Sequence, residues 1–139
     1  MTDLLPDIRA VLDSSAIRSY ARGHIHVGEV ITEVADDSAY VGIPATALLD
    51  AHAQCLGDKV ARARLGVLVH LPGTQVLALD ADAAAHVAET VPFSHGDLSR
   101  SHAVWASLEH AAVYLTAEPQ ESARLIAKDR IIVIPADDA

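Results

Sequence analysis

A chain of 139 residues, 51% apolar and 21% charged, has room for one domain with a real core and excludes a disordered tail. The net charge of −9, from 19 acids against 10 bases, argues against sequence-independent adhesion to nucleic acid, which works by neutralising phosphates. No apolar stretch approaches the roughly 20 residues that a bilayer-spanning helix needs, and a single cysteine, Cys55, excludes an internal disulfide. Met1-Thr2-Asp3-Leu4-Leu5-Pro6-Asp7 has neither the basic start nor the long apolar core of a secretory signal, so a cytoplasmic location is expected. Ile8 to Leu12 is the first apolar run and reads as a buried strand stopping at Asp13. A helix-compatible stretch follows from Ser14 to Arg22, and Gly23-His24-Ile25-His26 interrupts it. Val27, Val30, Ile31 and Val34 recur at helical spacing until Asp36-Asp37-Ser38 closes that helix.

Tyr40 to Ile43 is a short apolar run ending at Pro44, a residue tolerated in the first turn of a helix. The pattern is helical from Ala45 to Leu56, with Gly57 as a stop, and again from Val60 to His70, before the turn signal Pro72-Gly73. Thr74 to Asp80 reads as a strand and Ala81 to Val91 as an alanine-rich helix; Pro92 and Gly96 mark a loop. Leu98 to His110 is helical, Ala112 to Thr116 a strand, Gln120 to Lys128 helical, and Ile131 to Ile134 a final strand before Pro135. There is no internal repeat and no linker. This alternation predicts an α/β fold with a central parallel sheet covered by helices on both faces, as one domain over residues 1–139.

In such sheets ligands bind at the carboxyl ends of the strands, where the strand order switches. Two strands here end in acids: the first at Asp13, and the strand Ala112 to Thr116 just before Glu118. Carboxylates gathered at one sheet end repel each other without a cation, so a shared divalent metal is the natural expectation.

Four stretches carry a family resemblance. They are Val11-Leu12-Asp13-Ser14-Ser15-Ala16-Ile17, Ile43-Pro44-Ala45-Thr46-Ala47-Leu48-Leu49-Asp50, the helix opening around Asp97 to Ala106, and Leu115-Thr116-Ala117-Glu118-Pro119. In order and spacing they resemble the PIN domain, a three-layer α/β/α fold whose typical members are metal-dependent ribonucleases, many of them toxins of bacterial toxin–antitoxin pairs. The resemblance runs from Val11 to Ile134 and implies a metal site. Asp13, Asp50, Asp97 and Glu118 would hold Mg2+ or Mn2+ and carry catalysis, with Ser15 and Thr116 beside the substrate. Asp50 stands where the family usually has glutamate, and Glu118 where it usually has aspartate. Counted back from Thr116, the family's third acid falls near Ser99 or Arg100, whereas this chain places its acid at Asp97, with His102 as another group able to face the cleft.

Each of these acids also has a plain structural role. Asp13 and Asp97 suit helix N-caps, Asp50 suits a solvated helix face, and Glu118 suits the opening of a helix whose dipole favours negative charge. The resemblance implies a metal-dependent endoribonuclease acting on RNA, a small antitoxin partner covering the cleft with a basic residue, and a homodimer. The alternative is a PIN-like domain with a degraded site, acting as a binding or regulatory module; the negative charge also suits a basic protein partner. Other chemistries lack their signatures. Eight histidines show no structural-zinc spacing, no Gly-x-Ser-x-Gly elbow is present, and there is neither a Walker loop nor a dinucleotide fingerprint. Cys55 and Trp105 read as packing residues.

Overall fold

The computed structural model describes residues 6–135. The amino-terminal residues 1–5, part of the stretch read above for a secretory signal, lie outside the described residues. The chain runs β1 (Ile8–Leu12), α1 (Ser14–Ala21), α2 (His26–Asp36), β2 (Tyr40–Pro44), α3 (Ala45–Gln54), α4 (Lys59–Leu68), β3 (Thr74–Leu77), α5 (Ala81–Thr90), α6 (Leu98–Glu109), β4 (Val113–Thr116), α7 (Pro119–Ser122) and β5 (Ile131–Val133). The five strands form one sheet in the order β3-β2-β1-β4-β5, parallel throughout. The expected three-layer α/β/α architecture is therefore what the chain forms.

The central strand shows why. Ile8, Ala10, Val11 and Leu12 are all nearly or fully buried, as a strand covered on both faces requires. Ala10 and Leu12 join a core with residues of α1 to α4, among them Ile17, Ile31, Ala47 and Leu65. Ile8 and Val11 join a second core with Ala103, Val104 and Ala106 of α6, Tyr114 and Ile126. Ile8 and Val11 share a face, three residues apart, because the pairing register shifts between Ile8 and Ala10. Among the described residues no helix is long and apolar enough to cross a membrane.

Four helices begin at an aspartate whose carboxylate accepts from the backbone N–H three residues on: Asp13 for α1, Asp58 for α4, Asp80 for α5 and Asp97 for α6. β3 stops at Leu77, and not at Asp80 as its apolar pattern suggests, because its only neighbour among the described residues, β2, ends at Pro44, the partner of Leu77. Pro92, expected in a loop, opens a 3-10 turn over Val91–Ser94.

The largest departure lies after β4. The helix expected from Gln120 to Lys128 is a single turn, Pro119–Ser122, followed by a 3-10 turn at Lys128–Arg130. The Ser122 carbonyl accepts from both Leu125 and Ile126, turning the chain so that Ile126 drops into the second core. Tertiary packing overrides helical propensity there.

Candidate functional site

β1 and β4 are neighbours, paired Leu12 to Leu115, so the residues that follow them emerge side by side at the carboxyl end of the sheet. The Asp13 N–H continues the ladder by donating to the Leu115 carbonyl at 3.1 Å. From that point the Asp13 side chain turns inward and is only 2% exposed. Its Oδ1 accepts from the Ala16 N–H at 2.9 Å and from Ser15 Oγ at 2.6 Å; its Oδ2 accepts from the Tyr114 hydroxyl at 3.2 Å. Burial, and then the negative charge of Asp13, push the Tyr114 ionisation far above its ordinary value, so the phenol stays a donor.

Ser15 and Thr116 form the seam between α1 and the turn after β4. Ser15 Oγ accepts from the Ala117 N–H at 2.8 Å and lies 3.2 Å from Thr116 Oγ1, which in turn accepts from the Glu118 N–H at 2.9 Å. Both hydroxyls are buried, with Thr116 fully so. They hold the backbone that presents Glu118, and Ser15 also lines the cavity described next.

Asp13, Asp50, Asp97 and Glu118 all line one polar cavity of about 310 Å³, together with Arg18 and Arg100. Asp50, on α3, accepts from Ser14 Oγ and, at 3.0 Å, from Gln54 Nε2. Asp97 caps α6 through the Arg100 N–H at 2.9 Å and pairs with the Arg100 guanidinium at 2.7 Å. That guanidinium also reaches Glu118 at 3.3 Å and Glu121 at 4.0 Å, and Arg18 meets Glu118 at 3.6 Å. Asp97 is thus cap and cavity wall together.

His102 is turned away from the cavity. It is fully buried against α3, with Nδ1 3.1 Å from Thr46 Oγ1 and its ring beside Trp105. Burial lowers its pKa from the usual imidazole value, and Nδ1 accepts from the Thr46 N–H at 3.4 Å. Trp105 packs between His102 and His86, as its reading as a packing residue anticipates.

A divalent ion such as Mg2+ needs an octahedral shell of oxygens, of which the protein must supply one or two free carboxylates. The described residues do not fit one in this arrangement. Asp13 is occupied by three donors, and a guanidinium joins Asp97 to Glu118 and would repel an incoming cation. Among the described residues no group of three or more His, Cys, Asp and Glu is placed to hold a metal ion. Arg100 is the residue that a search for acids overlooks; its signal was the i,i+3 spacing from Asp97, which lets the two pair along the helix. Tyr114 was equally overlooked, because its donor role depends on a partner 101 positions away. No family model matches the chain, and no curated protein does.

Proposed function

We propose that this chain is a PIN-like domain whose acidic cleft is partly offset from within by arginine, and that it works as a binding or regulatory module. The observation that carries this reading is Arg100, whose guanidinium pairs with both Asp97 and Glu118. Arginine does not give up its proton at any physiological pH, so the positive charge cannot be shed to admit a metal. Support also comes from the sequence. The family's third acid, counted back from Thr116, falls at Ser99 or Arg100, so the cleft meets a neutral or basic side chain where typical members have a carboxylate. The partner favoured by a chain of net charge −9 is a basic protein, met in the cytoplasm.

One observation favours a second reading, the metal-dependent endoribonuclease of a toxin–antitoxin pair: all four carboxylates line the same cavity. Under it Asp13, Asp50, Asp97 and Glu118 hold Mg2+ or Mn2+, RNA is the substrate, and a homodimer with a small antitoxin is expected. It requires Arg100 to leave Asp97 and Glu118. The deciding experiment measures the thermal midpoint of the native protein with and without Mn2+ and Mg2+, and incubates it with structured and unstructured RNAs. The module reading expects no metal-dependent shift and intact RNA. A shift together with cleavage, both lost in Asp13→Asn, establishes the nuclease instead.

A further inference from the structure

We infer that the outer face of α4 is a docking surface for an acidic amphipathic helix of a partner protein. No residue of α4 lines the cleft, so this inference stands apart from the reading of that site.

From Lys59 to Leu79 the sequence holds three bases and no acid, in a chain where acids outnumber bases 19 to 10. All three bases, Lys59, Arg62 and Arg64, lie on α4 and are exposed. Arg9, Arg18 and Arg100 each pair with a carboxylate, whereas these three meet none among the described residues. Arg64 donates instead to the Ala21 carbonyl at 3.1 Å and packs against Gly23, which brings it beside the exposed Arg22 at the end of α1. Asp58, the nearest acid in sequence, caps α4 by accepting from the Ala61 N–H.

The placement also works against the helix itself. Lys59 opens α4 and Arg62 follows within its first turn, at the positive end of the helix dipole, and the last turn holds no base. Charges set where they cost their own helix stability, and left without counter-ions in an acidic protein, are accounted for by a ligand that brings carboxylates.

The residues between the charges identify that ligand as a helix. Away from its buried face of Ala61, Leu65 and Leu68, α4 exposes Val60, Ala63 and Val67. The two valines are 59% and 53% exposed. Their spacing of i, i+3 and i+7 makes a stripe along one side of the helix, the a and d positions of a heptad. Arg64 borders the stripe on one side and Lys59 on the other, where e and g residues stand. An acidic amphipathic helix covers the stripe with apolar side chains and its borders with carboxylates. A phosphate backbone would meet the bases and leave the valines in water. The net charge of the chain does not oppose this, because charges more than about 8 Å away are largely screened at physiological salt.

The probe is a synthetic helix of about three heptads, Leu at a and d and Glu at e and g, whose own glutamates discourage self-pairing. Titration of the native protein should show saturable binding that weakens with salt, and a matched peptide with Lys in place of Glu should not bind. Lys59→Glu/Arg62→Glu should weaken the acidic peptide by about tenfold or more. It should melt no lower than the native protein, since acids suit a helix N-terminus. Val60→Ser/Val67→Ser, at exposed positions, should also weaken it. No saturable binding up to about 1 mM peptide overturns the proposal. So does binding that ignores the charge reversal, or equal binding of both peptides. Binding of RNA or of anionic vesicles in place of the peptide overturns it as well. Self-association of the native protein that Val60→Ser/Val67→Ser abolishes would assign the face to a second copy of the chain and overturn the acidic partner.

Discussion

Asp13 and Glu118 follow adjacent strands of the sheet, yet their charges are held by different means. Asp13 is 2% exposed and receives three neutral donors, from Ala16, Ser15 and Tyr114. Glu118 keeps 39% of its side chain exposed and meets two arginines instead. A carboxylate away from water is made tolerable by fixed dipoles built into the fold, whereas one at the rim draws long flexible cations. The difference teaches that the floor of the cleft belongs to the fold and its rim to electrostatics. Substitutions should therefore cost much stability at Asp13 and little at the rim.

The largest effect is expected at the floor. Asp13→Ala removes the cap of α1 and leaves the Ala16 N–H, the Ser15 hydroxyl and the Tyr114 hydroxyl without their acceptor. A lost cap costs about 1 kcal/mol and a stranded buried donor about 1–3 kcal/mol, so a loss of about 3 kcal/mol is expected in urea unfolding. A loss below about 1 kcal/mol would mean that water replaces the carboxylate, and the contrast with Glu118 would collapse. Asp13→Asn, which keeps an acceptor for the cap, should retain much of the stability.

A third way to bury an ionisable group is to remove its charge, and His102 takes it. Its folded pKa lies below the unfolded value near 6.5, because burial disfavours the imidazolium. The unfolded chain therefore binds a proton that the native protein refuses. The stability linked to His102 is complete above about pH 6.5 and falls as the pH drops from there towards the lowered native value. Urea midpoints of the native protein and of His102→Gln, compared between pH 7.5 and 5.5, should converge as the pH falls. Parallel curves would place the acid sensitivity elsewhere.

These contrasts also mark what could be read from the residues. The strands at Ile8, Tyr40, Thr74, Val113 and Ile131 were legible because each is a short apolar run bounded by turn or cap residues. The parallel sheet followed from their alternation with helical patterns. The acids were harder. Asp58 and Asp80 carry the same local signature as Asp13 and Asp97, since all four cap helices through the N–H three residues on. Capping alone does not separate them: the pairing of β1 with β4, across a hundred residues, brings Asp13 to Glu118, and the packing of α3 and α6 brings Asp50 and Asp97 to the same cavity. Ile126 takes its role from partners in the folded chain and not from its sequence neighbours, and so does half of Arg100's: its pairing with Asp97 is local, but its reach to Glu118 exists only in the fold.

Tyr114→Phe sharpens the comparison on a smaller scale. The ring keeps its place in the second core, and only the hydroxyl that donates to Asp13 disappears. Asp13 retains its two other donors, so a cost of about 1 kcal/mol is expected, the net worth of one hydrogen bond to a charged group offset by removal of a buried polar atom. In the Asp13→Ala background the same change should cost less, because the hydroxyl there has already lost its acceptor; equal costs in both backgrounds would deny the coupling.

The smallest effect on stability is expected at the rim. Glu118→Gln keeps the length of the side chain, its carbonyl oxygen for Arg100 and the backbone N–H that Thr116 accepts. What it loses is one charge, partly in water, between two arginines. Ion pairs this exposed contribute about 0–1 kcal/mol and are screened by salt. A loss within about 0.5 kcal/mol is therefore expected, and it should shrink further between 50 mM and 500 mM salt. A Glu118→Gln loss as large as that of Asp13→Ala, insensitive to salt, would show that the rim is as much a part of the fold as the floor.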